Sequence, residues 1–282
     1  MAKGKETGGF AGKELLIRIA AAAVLAPVAL AAVWAGDWIF ALLCAAGAVI
    51  VVLEWWKMCG YGASTVEAVV IALAFAATAW LVLTFELQGA VALFAVMIAA
   101  GALSGLLRKG GSGWRAAGVA YAGLAMLALL VIRNDYGFGL VGVVWILALV
   151  WATDIAAYGA GRLIGGPKIW PRVSPKKTWA GLIGGVAAAA ATGYVIASQL
   201  AESPAGLIAL MSAGLAVVAQ AGDFMESALK RRFGQKDSGT LIPGHGGLMD
   251  RVDGLLAVAV VAALIGIWRE GPDLAARGLL IW

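Results

Sequence analysis

Residues 206–229 read Gly-Leu-Ile-Ala-Leu-Met-Ser-Ala-Gly-Leu-Ala-Val-Val-Ala-Gln-Ala-Gly-Asp-Phe-Met-Glu-Ser-Ala-Leu, and then the chain changes character. Residues 230–253 read Lys-Arg-Arg-Phe-Gly-Gln-Lys-Asp-Ser-Gly-Thr-Leu-Ile-Pro-Gly-His-Gly-Gly-Leu-Met-Asp-Arg-Val-Asp. The first segment is long and apolar enough to cross a bilayer core, which needs roughly 20 apolar residues in a helix. Its ionisable groups, Asp223 and Glu226, fall near its end. The second segment gathers Lys230, Arg231, Arg232, Lys236 and Arg251 with Asp237, Asp250 and Asp253 around a Pro-Gly-His-Gly-Gly turn. That turn carries the chain's single histidine, His245.

The rest of the chain repeats the first pattern. Hydrophobic residues make up 62% of the sequence and charged residues 13%, whereas a soluble domain is apolar over roughly half its residues. Windows of spanning length fall at about 15–35, 38–56, 65–85, 88–107, 114–132, 138–160, 179–199, 206–229 and 252–268. The expected fold is therefore an all-α polytopic integral membrane protein of about nine transmembrane helices. It reads as one transmembrane domain over 1–282, with N-terminal helices in 1–135. The helices of 136–282 carry the chemistry on loops 161–178 and 230–251. The first apolar run exceeds the 7–15 residues of a signal-peptide core, so it reads as a retained span. Residues 271–282 read as a segment along the outer interface anchored by Trp282.

Lysine and arginine placement supports this count, because cytoplasmic loops carry the positive excess. With the N-terminus inside and strict alternation, only Arg133, Arg269 and Arg277 of 21 basic residues fall outside. The net charge of +5 thus belongs to the cytoplasmic face, where it meets anionic membrane lipids. No basic domain exists to hold a nucleic acid. Cys44 and Cys59 lack metal-ligand spacing and read as inert apolar residues.

Ionisable groups inside spans cost about 2.5–3.5 kcal/mol each on insertion scales. Asp154 and Asp223 are the clearest cases, while Glu54 and Glu67 sit near span ends, where snorkelling or helix capping accounts for them. Asp223, Glu226, Ser227 and Lys230 recur at i, i+3, i+4 and i+7, one face of one helix. Asp250 and Asp253 open the following span. Each suits a helix cap, and together with Asp223 they suit a divalent cation. Oxygen ligands without His or Cys favour Mg²⁺ over zinc. Carboxylates beside cations make sense around a polyphosphate when metal ions lie between them. A second cluster, Lys168, Arg172 and Ser174-Pro-Lys176-Lys177-Thr178, precedes a helix N-terminus, a natural anion site.

At these residues the chain resembles the phosphatidate cytidylyltransferase (CDP-diacylglycerol synthase) family. Ser227, Lys230, Arg231, Lys236, Asp237, Gly239, Pro243, His245, Gly246, Gly247, Asp250, Arg251 and Asp253 fill every fixed position of its signature. Asp154, Tyr158, Gly161, Arg162 and the Ser174–Thr178 segment also resemble it, whereas Ala156 and Ala180 depart from it. The resemblance implies transfer of the cytidylyl group of CTP to phosphatidic acid in phospholipid biosynthesis. It implies Mg²⁺ on Asp223, Asp250 and Asp253, with K⁺ as a second cation. Lys230, Lys236, Arg231 and Arg251 would neutralise the triphosphate, and His245 would donate to pyrophosphate or order the turn. Asp154, Ser174, Lys176, Lys177, Thr178, Ser227, Asp237, Gly246 and Gly247 would line the substrates, with Lys176 and Lys177 on either the lipid phosphate or CTP. It further implies a homodimer in the inner (plasma) membrane with its active site facing the cytoplasm. Two other readings stay open: a CTP-dependent polyprenol or dolichol kinase, and a cation or phosphate transporter.

Overall fold

The computed structural model describes residues 23–24, 26–108, 110–241 and 246–282. Among them it is all-helical, without a strand. Eight helices are long and apolar enough to cross a membrane. These are α2 (Asp37–Met58), α3 (Thr65–Leu83), α4 (Leu87–Leu107), α5 (Ser112–Asn134), α6 (Gly139–Leu163), α7 (Trp179–Ala197), α8 (Ala205–Arg232) and α9 (Met249–Glu270). A shorter apolar helix, α1 (Ala26–Ala35), precedes them and overlaps the expected first span, whose residues 15–22 lie outside the described residues. A 3-10 turn (Pro272–Leu274) and α10 (Ala275–Leu280) close the chain. A helix satisfies its own backbone polar groups, as the bilayer requires.

Small residues let these helices approach closely. A Cβ on Gly184 would lie 2.6 Å from the Ala160 methyl, and one on Gly185 would lie 3.0 Å from the Thr153 carbonyl oxygen, so α6 and α7 touch nearly backbone to backbone. Gly222 does the same for α8 and α9: a Cβ there would lie 2.8 Å from the Ala257 methyl and 2.9 Å from the Asp253 carbonyl oxygen. At 28 residues, α8 is roughly 42 Å long, against a hydrocarbon core of about 30 Å. Its charged last turns therefore reach beyond the apolar layer.

The loops after α2, α4, α6 and α8 share one side. Trp114 at the start of α5 meets Phe233 edge-on at 5.0 Å, and the Arg232 guanidinium lies 5.2 Å from the Trp114 ring. Glu67 ties the same side together. It completes a capping box with Ser64, which bears out the capping expected of it, and it accepts from Arg115 at 3.0 Å and Arg108 at 2.8 Å. Arg115 is buried, donates to the Gly62 carbonyl at 2.7 Å and covers the Trp56 ring at 4.4 Å. Cys59 is buried, which pushes the pKa of its thiol up to about 11.

On the opposite side the tail packs against the helix bundle. Ala275, Ala276, Leu279 and Leu280 of α10 are fully buried. The backbone N–H of Arg277 donates to Asp135 at 2.7 Å, and Arg269 lies 3.7 Å from the Trp282 ring centre. The buried Asp135 carboxylate holds the inward-packed face of the tail.

Removing one partner of a buried ion pair costs roughly 3–5 kcal/mol. Arg115→Met is therefore expected to lower the melting temperature in detergent by several degrees. Melting at the parent temperature would mean that Arg108 alone satisfies Glu67.

Candidate active site

The close approach at Gly222 brings the polar stripe of α8 against the first turns of α9. Asp223, Glu226 and Asp253 each offer a carboxylate oxygen, all within 4.8 Å of one another. One Glu226 oxygen, Oε1, is buried without a hydrogen-bond partner, and its other oxygen accepts from Lys230 Nζ at 2.7 Å. Lys230 also donates to Asp250 Oδ1 at 2.7 Å. The second Asp250 oxygen accepts from Ser238 N at 2.9 Å, Ser238 Oγ at 2.9 Å and Gly247 N at 2.8 Å. Glu226 thus joins Asp223 and Asp253, while Asp250 stands one ammonium group away.

The loop between α6 and α7 closes the other side. Lys168 and Thr178 form an isolated bridge, braced by Ile169 N to Lys177 O at 3.1 Å and Trp179 N to Pro167 O at 3.1 Å. This brace delivers Lys177 Nζ to Asp223 Oδ2 at 2.5 Å and to 4.5 Å from the Phe224 ring centre. Thr178 is the N-cap of α7, its hydroxyl accepting from Gly181 N at 3.0 Å.

A cavity of about 670 Å³ lies between these elements, lined by Asp154, Lys176, Lys177, Thr178, Asp223, Lys230, Asp237, Asp250, Arg251 and Asp253, with Glu226, Tyr158, Arg162 and Lys168 added. Most expected site residues therefore converge from three helices and two loops. Others stand apart from the cavity wall. Ser227 Oγ donates to Asp223 Oδ1 at 3.3 Å, Arg231 donates to the Gln235 carbonyl at 3.2 Å, Lys236 is exposed and Ser174 is half-buried. Gly246 and Gly247 act through space they leave empty. A Cβ on Gly246 would lie 2.6 Å from Asp250 Oδ2, and one on Gly247 would lie 2.6 Å from Glu54 Oε2. His245 and Pro243 lie outside the described residues. Beside the polar cavity, Ile169, Trp170, Ala221, Phe224, Met225 and Ala228 line an open apolar groove.

Two carboxylates gain a place that the sequence had not given them. Glu226 was visible on the α8 stripe but unassigned. Glu54 caps a helix as expected, yet that helix is α9: the buried Glu54 carboxylate accepts from Leu248 N at 2.9 Å and Met249 N at 2.8 Å. The available signal was an ionisable residue inside an apolar span.

Residues 16–267 match the Cytidylyltransferase family. The chain belongs to that family. Phosphatidate cytidylyltransferases from Brucella suis biovar 1 and Brucella melitensis biotype 1 are each 41% identical to it over 264 residues, covering 92% of this chain and 96% of theirs. The phosphatidate cytidylyltransferase of Bacillus subtilis is 40% identical over 140 residues, 49% of this chain and 52% of its own. In this cytidylyltransferase-family chain, the cavity is formed wholly by the C-terminal half, and the acidic cluster within it has the oxygen-only chemistry that suits a divalent cation. The buried, unpartnered Glu226 Oε1 fits such an ion.

Gly246 has a φ of +84°, which side chains rarely tolerate. Gly246→Ala is expected to destabilise the fold by about 1–3 kcal/mol, read as a lower melting temperature. An unchanged melting curve would show that the turn relaxes away from Asp250.

Proposed function

We propose that this chain transfers the cytidylyl group of CTP to phosphatidic acid, giving CDP-diacylglycerol and pyrophosphate. The observation that carries the reading is the cavity itself. It places Lys176, Lys177, Lys230 and Arg251 among acidic groups at helix ends, in a chain 41% identical to phosphatidate cytidylyltransferases over 92% of its length. Cations alone would hold a phosphate, whereas cations interleaved with carboxylates suit a polyphosphate accompanied by metal.

A phosphate oxygen of the lipid attacks the α-phosphorus of CTP. The bond from that phosphorus to the oxygen bridging the β-phosphate breaks, and pyrophosphate leaves with the electron pair. The lipid phosphate has a second pKa near 6, so it is largely dianionic at neutral pH and needs no obligatory base. Catalysis then rests on positioning and charge stabilisation. Lys230 and Arg251 face the triphosphate, and Lys176 and Lys177 hold one of the two reacting phosphates. Asp223, Glu226 and Asp253 would hold Mg²⁺, which when bound neutralises phosphate oxygens. A triphosphate competing for Lys230 would free the Glu226 and Asp250 carboxylates from it. K⁺ as a second cation, the inner membrane and a cytoplasm-facing site complete the reading. The bias of basic residues toward the loops that surround the cavity supports this orientation.

Purified protein is expected to release pyrophosphate from CTP only when phosphatidic acid and Mg²⁺ are both present. Product with a polyprenol and none with phosphatidic acid would overturn the reading. Glu226→Gln is expected to raise the Mg²⁺ concentration for half-maximal rate by at least tenfold. Asp250→Asn is expected to reduce turnover by at least a hundredfold. Unchanged Mg²⁺ dependence in Glu226→Gln would remove that residue from the metal set.

A further inference from the structure

We infer that Glu54, far from the signature residues in sequence, is a positioning residue for the reaction. It sets Asp250 and the start of α9 in place. The inference rests on the reading of Asp250 given above.

The residue at the N-cap of α9 is Leu248, whose side chain makes no capping hydrogen bond. Leucine is among the poorest residues at that position, because the first N–H groups of a helix need an acceptor. Glu54 supplies one from α2, 194 residues away. Oε1 accepts from Leu248 N at 2.9 Å and Oε2 from Met249 N at 2.8 Å. The residue is only 7% exposed, and among the described residues no cation pairs with it. Its charge is balanced by the positive end of a 22-residue helix, which carries about half a unit charge.

The same carboxylate abuts the group that holds Asp250. Ser238 Oγ lies 3.4 Å from Glu54 Oε2 and 2.9 Å from Asp250 Oδ2, so its one hydroxyl proton goes to the nearer Asp250. A Cβ on Gly239 would lie 2.8 Å from Glu54 Oε1, and its three nearest atoms would all belong to Glu54. Gly239 and Gly247 therefore form a slot shaped to this side chain. The slot, the capped helix and Ser238 together fix the Asp250 carboxylate on Lys230.

Two exchanges isolate this role. In Glu54→Gln only one oxygen remains to accept, and the new NH₂ faces a backbone N–H. Gly239→Ala keeps the charge but displaces it, and Gly239 has no positive φ to strain. Wild type, both variants and Asp250→Asn would be purified in detergent. Pyrophosphate release from CTP, phosphatidic acid and Mg²⁺ would be measured beside the melting temperature. Both variants are expected to lose at least tenfold in kcat, with KM for the lipid within twofold and a loss exceeding any change in folded fraction. The inference is overturned if kcat stays within twofold of wild type while Asp250→Asn is inactive, or if every loss merely tracks unfolding. Should Glu54→Gln not fold, Gly239→Ala alone decides by the same criteria. Full activity in Asp250→Asn would instead overturn the route through Asp250, and with it the site reading.

Discussion

The Lys230 ammonium, 2.7 Å from both Glu226 and Asp250, is the interaction on which the site depends. Six carboxylates, Asp154, Asp223, Glu226, Asp237, Asp250 and Asp253, line one cavity at the edge of an apolar layer. Like charges that close repel strongly where the effective dielectric constant is low. Lys230 from α8 and Lys177 from the α6–α7 loop each sit within ion-pair distance of this group. Each lysine is thus a structural counter-ion to the acidic group.

The architecture around this network was legible because the bilayer imposes a simple rule on sequence. Spans expected at 65–85 and 88–107 appear as Thr65–Leu83 and Leu87–Leu107, and similar agreement holds through α9. The α8 stripe was legible for the same reason, since helical period alone fixes which residues share a face. Its partners were not. Whether Glu226 or Asp250 joins Asp223 and Asp253 depends on how α8 and α9 approach at Gly222, a tertiary fact absent from local pattern. Glu54 shows the limit most clearly: capping was foreseeable, but the helix it caps begins 194 residues later. Thr178 illustrates a milder case: its hydroxyl oxygen accepts from Gly181 N as the α7 cap, and the residue also lines the cavity.

Division of the chain into N-terminal helices and chemistry-bearing helices also acquires a physical qualification. The cavity wall comes from the C-terminal half, yet α2 anchors α9 through Glu54 and α5 meets the end of α8 through Trp114 and Phe233. The first half is therefore a brace for the second. It meets the second half through apolar packing of α5 on α9 and the end of α8 and through the buried Glu54 carboxylate.

Gly222 has a consequence for stiffness. A helix contact made through side chains contains a layer of rotatable bonds, and such a layer yields under thermal load. Here the backbone of α8 rests on the Asp253 carbonyl of α9 with no room for even a methyl group. The separation of the two carboxylate-bearing helices is consequently a hard-core distance, insensitive to rotamer exchange nearby. The acidic cluster behaves less like a set of flexible arms and more like the jaws of a fixed gauge.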